Sequence, residues 1–189
     1  AVSECTARDL QRIYGVPRER LAVTPNAAPV GFARADEREV RQVLAELQVP
    51  EPYALFVGVL QPRKNVIGIV RAFLRARREH SLPHNLVIAG KVGWKAEEIL
   101  ETVRAAGLTG AVRYLGYVED RHLPALYTGA QMLVFPTFYE GFGIPVLEAF
   151  ACGTAVIGGT EGAVPEVAGD AALLVDPYDE QALAAAIAR

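Results

Sequence analysis

The sequence predicts a doubly wound α/β fold with a parallel sheet. From residue 53 onward, apolar runs of four to six residues alternate with segments of helical pattern. Strands separated by helices indicate βαβ crossovers, and these make neighbouring strands parallel. Glycine follows several of the apolar runs, which is typical of a strand turning into a helix. In such a sheet, ligands bind at the carboxyl ends of the strands.

Six short runs are predicted as strands, and the first of them is predicted to be buried. They are Tyr53–Val57, Asn85–Ala89, Val112–Leu115, Gln131–Phe135, Thr154–Ile157 and Ala172–Val175. Asn65 can cap the first helix of this region, and Pro145 suits the first position of the fourth. The helices are expected at about Asn65–Glu79, Lys95–Ala106, Asp120–Thr128, Val146–Cys152, Pro165–Val167 and Asp179–Arg189.

The first fifty residues are predicted to be the end of one unit leading into another. Ser3 can cap a helix from Cys5 to about Tyr14, and Leu21–Thr24 is predicted as a short strand. Residues 25–36 are rich in Pro and Ala, as in a linker, and a helix is expected from Asp36 to about Leu47. We therefore divide the chain into residues 1–30, 31–50 and 51–189.

Composition excludes several classes of function. The 189 residues are 51% hydrophobic and 22% charged, with a net charge of −3, which favours a folded globular protein and disfavours a nucleic-acid surface. No apolar run reaches the eighteen or so residues of a membrane span. Cys5 and Cys152 match no spacing pattern, so we expect free thiols in a reducing compartment. The three histidines show no metal-ligand spacing, and no metal site is predicted.

The most informative motif is the decapeptide from Glu140 to Ala149. Glu148 is the only charge in an otherwise apolar helix, where an unpaired carboxylate is costly unless a polar group meets it. The helix opens beside Gly141 and Gly143, and exposed N–H groups at a helix start attract phosphate. An anion site beside two carboxylates that can grip hydroxyls suits a sugar attached to phosphate.

A second motif, Arg63-Lys64, follows the first core strand. Two adjacent cations at the carboxyl end of a parallel strand can neutralise a diphosphate. A basic turn in solvent is the alternative. Both cations precede a helix N-terminus, where the dipole disfavours positive charge, and such a conflict is typical of a functional site.

Two further strand ends carry candidate ligand contacts. Gly90 and Lys91 follow the second strand, and Trp94 either stacks on a base or packs against the fold. Tyr117 and Val118 follow the third strand, where a nucleobase can fit against the backbone. An ordinary strand-to-helix turn is the alternative for this last segment.

These motifs together resemble the donor-binding, C-terminal half of the retaining GT-B glycosyltransferases of group 1. The matching segments are Phe56–Asn65, Val87–Lys91, Tyr114–Val118, Glu140–Ala149 and Val164–Asp170. The resemblance implies a Rossmann-like domain at 51–189, truncated at its C-terminus. It also implies that residues 1–30 are the tail of an N-terminal acceptor domain that is missing here, with residues 31–50 as linker and connecting helix. Alone, this chain is expected to bind donor weakly or not at all, and to be inactive.

The resemblance also implies roles for particular residues. Arg63, Lys64 and Glu140 would be catalytic: the two cations stabilise the departing nucleoside diphosphate, and Glu140 holds a hydroxyl of the donor sugar. Glu148 would accept hydrogen bonds from the ribose, and the backbone of Val118 would contact the base. The other expected contacts with the nucleotide sugar are Gly58, Gly90, Lys91, Tyr117, Gly141, Phe142, Gly143 and Ile144.

The function implied is sugar transfer, with retention, from a nucleotide-diphosphate sugar to a glycan, lipid or small-molecule acceptor. A mannosyl type in polysaccharide or glycolipid synthesis is expected, without a cofactor or an obligatory metal. A cytoplasmic location at the inner face of the membrane is expected, with membrane contact through the missing domain. A GT-B phosphorylase or epimerase is one alternative, and a non-catalytic nucleotide-binding module is another. The base, the sugar and the acceptor stay open.

Overall fold

The computed structural model describes residues 1–189 and contains one six-stranded parallel sheet. Its strands are β1 (Tyr53–Val57), β2 (Asn85–Ala89), β3 (Val112–Gly116), β4 (Met132–Phe135), β5 (Ala155–Gly159) and β6 (Leu173–Val175). Their spatial order is β3-β2-β1-β4-β5-β6. The predicted fold class is confirmed, and each of the six core strands lies within two residues of its expected bounds.

Eight α-helices surround the sheet. They are α1 (Glu4–Tyr14), α2 (Glu37–Glu46), α3 (Val66–His80), α4 (Glu97–Gly107), α5 (Leu123–Gly129), α6 (Ile144–Ala151), α7 (Val164–Ala168) and α8 (Glu180–Ile187). Helix α3 packs against α4 and α8, while α6 packs against α5 and α7. Right-handed crossovers that run in opposite directions from the middle of the sheet produce these two groups of helices, one on each face. No helix combines the length and the apolar character that a bilayer crossing requires.

The core lies on both faces of the central strands, which explains their continuous apolar sequences. Leu55 of β1 is fully buried and pairs in register with Val87 of β2 and Leu133 of β4. Full burial of one leucine side chain is worth roughly 1.5–3 kcal/mol relative to exposure. Strands buried on both faces have little reason to alternate polar and apolar residues.

The chain reverses its direction of travel between β1 and β4. It adds β2 and β3 on one side of β1, and then β5 and β6 on the far side of β4. The loops that follow β1 and β4 therefore diverge to opposite faces and leave a crevice at their carboxyl ends. This topological switch point is the usual place for ligands in open α/β sheets.

Two local predictions were wrong. Residues 21–24 form no strand of the sheet; they are extended and bond to the first residue, with the Thr24 amide 2.8 Å from the Ala1 carbonyl. Asn65 precedes α3, but its side chain does not cap that helix. Instead, Asn65 Nδ2 donates to the carbonyls of Pro136 at 3.1 Å and Pro177 at 2.8 Å. A buried amide must find acceptors, and these two carbonyls, in the loops after β4 and β6, satisfy both of its N–H groups.

Candidate functional site

The loops after β1 and β4 meet at the switch point through three charged side chains. Arg63 and Lys64 lie in a short 3₁₀ turn at Pro62–Lys64, and Glu140 lies in the loop after β4. Glu140 Oε1 accepts from Arg63 Nη1 at 2.7 Å and from Lys64 Nζ at 2.6 Å. The structure thus brings together the three residues expected to be catalytic. With two cations and one carboxylate, the cluster carries a formal charge of +1.

Lys64 differs from the basic surface turn that was the alternative. The residue is only 7% exposed, and its ammonium lies 4.9 Å from the centre of the Phe135 ring. Burial lowers the pKa of Lys64, while the neighbouring Glu140 carboxylate acts in the opposite direction. A buried ammonium held by one carboxylate is a poorly compensated charge, and an additional anion beside it would be stabilised.

The turn that follows β4 has free N–H groups, whereas its carbonyl groups accept hydrogen bonds from other parts of the chain. Arg63 donates to the carbonyl of Tyr139 at 2.8 Å, and the Ala163 amide donates to the carbonyl of Glu140 at 3.0 Å. The N–H groups of residues 141 to 144 have no hydrogen-bond partner in the chain. Four consecutive free donors at the start of α6 are available to phosphate or sugar oxygens.

Five of the expected ligand contacts line one cavity of about 260 Å³ at the carboxyl ends of β1, β2 and β3. They are Gly58, Gly90, Lys91, Tyr117 and Val118. Lys91 Nζ lies 4.3 Å from the centre of the Tyr117 ring, so these two exposed side chains meet at the cavity wall. Neither backbone polar group of Val118 has a partner in the chain, which leaves one donor and one acceptor available to a base.

Gly90 has a structural reason to be glycine. A Cβ at this position would lie 1.9 Å from the carbonyl oxygen of Gly58, far inside van der Waals contact. This close approach of Gly90 to Gly58 brings the loops after β1 and β2 together, and both residues line the cavity. Gly58 also lies next to the Lys64 side chain, since a Cβ at residue 58 would be 3.8 Å from the ammonium nitrogen of Lys64. The cavity therefore adjoins the charged cluster.

Glu148 is half-buried on α6, and one of its carboxylate oxygens is already bound. Tyr127 donates its hydroxyl to Glu148 Oε2 at 2.7 Å, and Glu148 forms no salt bridge, so Oε1 has no partner in the chain. Burial raises the pKa of Glu148, the Tyr127 hydrogen bond opposes that rise, and Asp120 adds to it. Asp120 also lines the 260 Å³ cavity, whereas Glu148 is not among the residues that line it.

Sequence reasoning missed the contact of Tyr127 with Glu148 and the contact of helix α1 with the turn after β4. Tyr127 reads as a core residue of α5, and no local signal links it to a carboxylate 21 residues away. Glu166 of α7 has a structural role, since its carboxylate accepts from the amides of Glu4 at 2.8 Å and Cys5 at 3.1 Å. Trp94 is exposed and does not line the cavity.

Two larger cavities, of about 390 and 400 Å³, lie away from this cluster. The first is between the start of α3 and α8, and the second is beside residues 29–35. Neither is lined by any of the expected site residues. No group of three or more His, Cys, Asp or Glu side chains is arranged to hold a metal ion.

A doubly wound parallel sheet with cations and free N–H groups at its switch point is the framework of nucleotide-binding α/β proteins. The sequence profile of the family "Glycosyl transferases group 1" matches residues 37–189. The chain belongs to this family, and its fold is one Rossmann-like half of the GT-B architecture. The resemblance inferred from the motifs is therefore confirmed.

Relatives of known name agree with this assignment. The chain is 36% identical over 187 residues to O-antigen chain mannosyltransferase B of Escherichia coli, covering 98% of this chain and 49% of that protein. It is 34% identical over 207 residues to D-inositol 3-phosphate glycosyltransferase of Salinispora tropica, covering 100% of this chain and 42% of that protein. The chain thus spans about half the length of these relatives.

Solved structures show the same fold. Anabaena HepE in complex with UDP and glucose superposes with a TM-score of 0.85 at 19% identity, covering 100% of this chain and 52% of that one. The C-terminal domain of a group 1 glycosyl transferase from Francisella tularensis has a TM-score of 0.68 at 25% identity. That match covers 82% of this chain and 83% of the domain.

Proposed function

We propose that this chain binds the donor of a glycosyl transfer, a sugar carried on a nucleoside diphosphate, and supplies the groups that stabilise the departing diphosphate. The observation that carries the proposal is the meeting of Arg63, Lys64 and Glu140 at the switch point, beside a cavity and four free N–H groups. The transfer itself, with retention, would require the complete enzyme and its acceptor.

The binding mode follows from the chemistry of each part. The base would occupy the cavity against the free backbone of Val118, and the ribose would donate to the unpartnered oxygen of Glu148. The diphosphate would meet the cation pair, and the sugar would lie along the turn at residues 141–144. Gly58 and Gly90 would allow the nucleotide close to the backbone, with Lys91 and Tyr117 at the rim.

The chemical role of the cations follows from charge development. As the bond between the anomeric carbon and the diphosphate oxygen breaks, negative charge grows on the diphosphate. Donors fixed in advance lower that barrier without reorganisation. Glu140 fixes both cations through one oxygen, and Oε2 remains available to a sugar hydroxyl. That the reaction needs no metal ion or cofactor remains a prediction based on this cation pair.

The donor sugar proposed is of the mannosyl type, in polysaccharide or glycolipid synthesis. The motif resemblance and the name of the Escherichia coli relative support this choice. The acceptor would be a glycan, a lipid or a small molecule. A cytoplasmic location at the membrane face, with contact through the acceptor domain, would suit a lipid-linked acceptor and remains a prediction.

A thermal-shift screen tests the proposal. Nucleoside diphosphates and their sugars, including GDP-mannose and UDP-glucose, are added to the 189-residue chain. A ligand at 100 times its Kd adds about 2.7 kcal/mol of stability, which corresponds to a rise in Tm of roughly 5–10 °C for a domain of this size. Glu148→Ala should remove most of the rise, whereas the exposed Glu37→Ala should not. No shift with any nucleotide at millimolar concentration, for this chain and for the complete enzyme that contains it, would contradict the proposal.

A further inference from the structure

Helix α1 contacts the turn at residues 139–144, which no motif in the sequence indicated. Two hydroxyl groups of its first turn reach one carbonyl of the site: Ser3 Oγ lies 2.7 Å and Thr6 Oγ1 lies 3.0 Å from the oxygen of Gly141. A carbonyl oxygen has two lone pairs, and both can be used here. The orientation of the Gly141 peptide group is thus set by residues about 138 positions earlier in the chain.

The helix that carries these hydroxyls is itself fixed. The Glu166 carboxylate accepts from the backbone amides of Glu4 and Cys5, the free donors at the start of α1. Farther along the helix, Tyr139 donates its hydroxyl to Asp9 at 2.5 Å. Helix α1 is therefore attached at its start to α7 and in its middle to the turn itself, so the two hydroxyls have a defined position.

Because the peptide bond is trans, the direction of the Gly141 carbonyl also fixes the direction of the next N–H group. The C=O and N–H of one peptide group point in opposite directions. When the Gly141 carbonyl faces α1, the N–H of Phe142 must face away from α1. A peptide that follows glycine can rotate at little steric cost, and then the same carbonyl would turn toward the ligand and repel an oxygen there.

We propose that Ser3 and Thr6 are positioning residues for the donor sugar: they hold the Gly141 peptide so that the N–H groups of the turn face the sugar. This inference rests on the proposed function of the turn. It predicts a selective effect. Loss of a hydroxyl from α1 should weaken binding of the nucleotide sugar and leave binding of the nucleoside diphosphate almost unchanged, because the diphosphate is held by Arg63 and Lys64.

The test is isothermal titration of the complete enzyme that contains this chain with a nucleotide sugar and with its diphosphate. The pair is GDP-mannose and GDP, or UDP-glucose and UDP, whichever sugar nucleotide the wild type binds more tightly. Thr6→Val removes the hydroxyl and keeps the shape, Thr6→Ser keeps the hydroxyl, and Thr102→Val is the matched control on the exposed side of α4. Ser3→Ala is a second test, although Ser3 also caps α1.

Thr6→Val is expected to lose about fivefold in affinity for the nucleotide sugar, the scale of one hydrogen bond, with affinity for the diphosphate within twofold of wild type. Thr6→Ser should restore wild-type affinity, and Thr102→Val should change neither. If Thr6→Val lowered the affinity for both ligands equally, the hydroxyl would have only a structural role and the inference would be overturned. Unchanged affinity for both ligands would overturn it as well. A wild type that binds neither ligand would instead overturn the proposed function and this inference with it.

Discussion

Replacing Glu140 by glutamine should destabilise the fold, because it removes the only carboxylate beside a buried ammonium. The Lys64 and Glu140 side chains are both 9% exposed, and their atoms approach to 2.6 Å. Removing one partner of a buried ion pair costs about 3–5 kcal/mol. The contact with Arg63 adds little, since that side chain is 41% exposed. Glutamine keeps the volume of the side chain and one acceptor oxygen. We therefore expect Glu140→Gln to lower the free energy of unfolding by about 3 kcal/mol.

Urea denaturation measures this loss. With a slope of about 2 kcal/mol per molar, the midpoint should fall by about 1.5 M. Glu79→Gln removes the carboxylate of a partly exposed pair with Arg75, and its free energy of unfolding should stay within about 0.5 kcal/mol of wild type. Lys64→Met combined with Glu140→Gln should be more stable than Glu140→Gln alone, because no buried charge is left unpaired. A Glu140→Gln midpoint equal to that of Glu79→Gln would refute the reasoning.

Three further outcomes are expected. In the complete enzyme, Arg63→Ala should lower kcat roughly 10²-fold, as loss of one oxyanion donor does, and a rate within threefold of wild type would contradict the assigned role. Because burial raises the pKa of Glu148, the native state holds this proton more tightly than the unfolded chain does. The free energy of unfolding should therefore fall as pH rises from about 4.5 through the raised pKa, and Glu148→Gln should lose this slope in urea titrations. Gly90→Ala should lower Tm by 10 °C or more, since its Cβ would lie 1.9 Å from the Gly58 oxygen. Gly110 also has a positive φ but no atom within 4 Å of the added Cβ, so Gly110→Ala should lower Tm far less. Equal decreases in Tm for the two variants would contradict the importance of the close approach between Gly90 and Gly58.

The core of the fold could be predicted because its determinants are local. The four inner strands β1, β2, β4 and β5 are almost continuous apolar runs, and strands buried on both faces need no other signal. The expected strand at 21–24 has a similar composition, but it does not join the sheet, and the Thr24 amide donates to the carbonyl of Ala1 instead. An apolar composition allows a segment to pair as a strand, but the topology of the fold decides whether a neighbouring strand is available to it.

The site could be predicted only in part. Glycines and cations after parallel strands indicate a ligand edge, and the cavity at the ends of β1–β3 brings five of the expected residues together. The partners of those residues depend on tertiary structure. Tyr127 reaches Glu148 from another helix, Asn65 bonds across two loops, and α1 reaches Gly141 from the far end of the sequence. No local pattern encodes such contacts.

The crystal structure of this chain with a bound nucleotide-diphosphate sugar would test the central claim most directly. The account predicts the base against Val118, a ribose hydroxyl within hydrogen-bond distance of Glu148 Oε1, and the diphosphate within 3.5 Å of Arg63 or Lys64, roughly the limit of a hydrogen bond. The sugar should contact the N–H groups of residues 141–144. A nucleotide bound in the cavity between α3 and α8, with the Glu148 carboxylate touching only Tyr127, would contradict it.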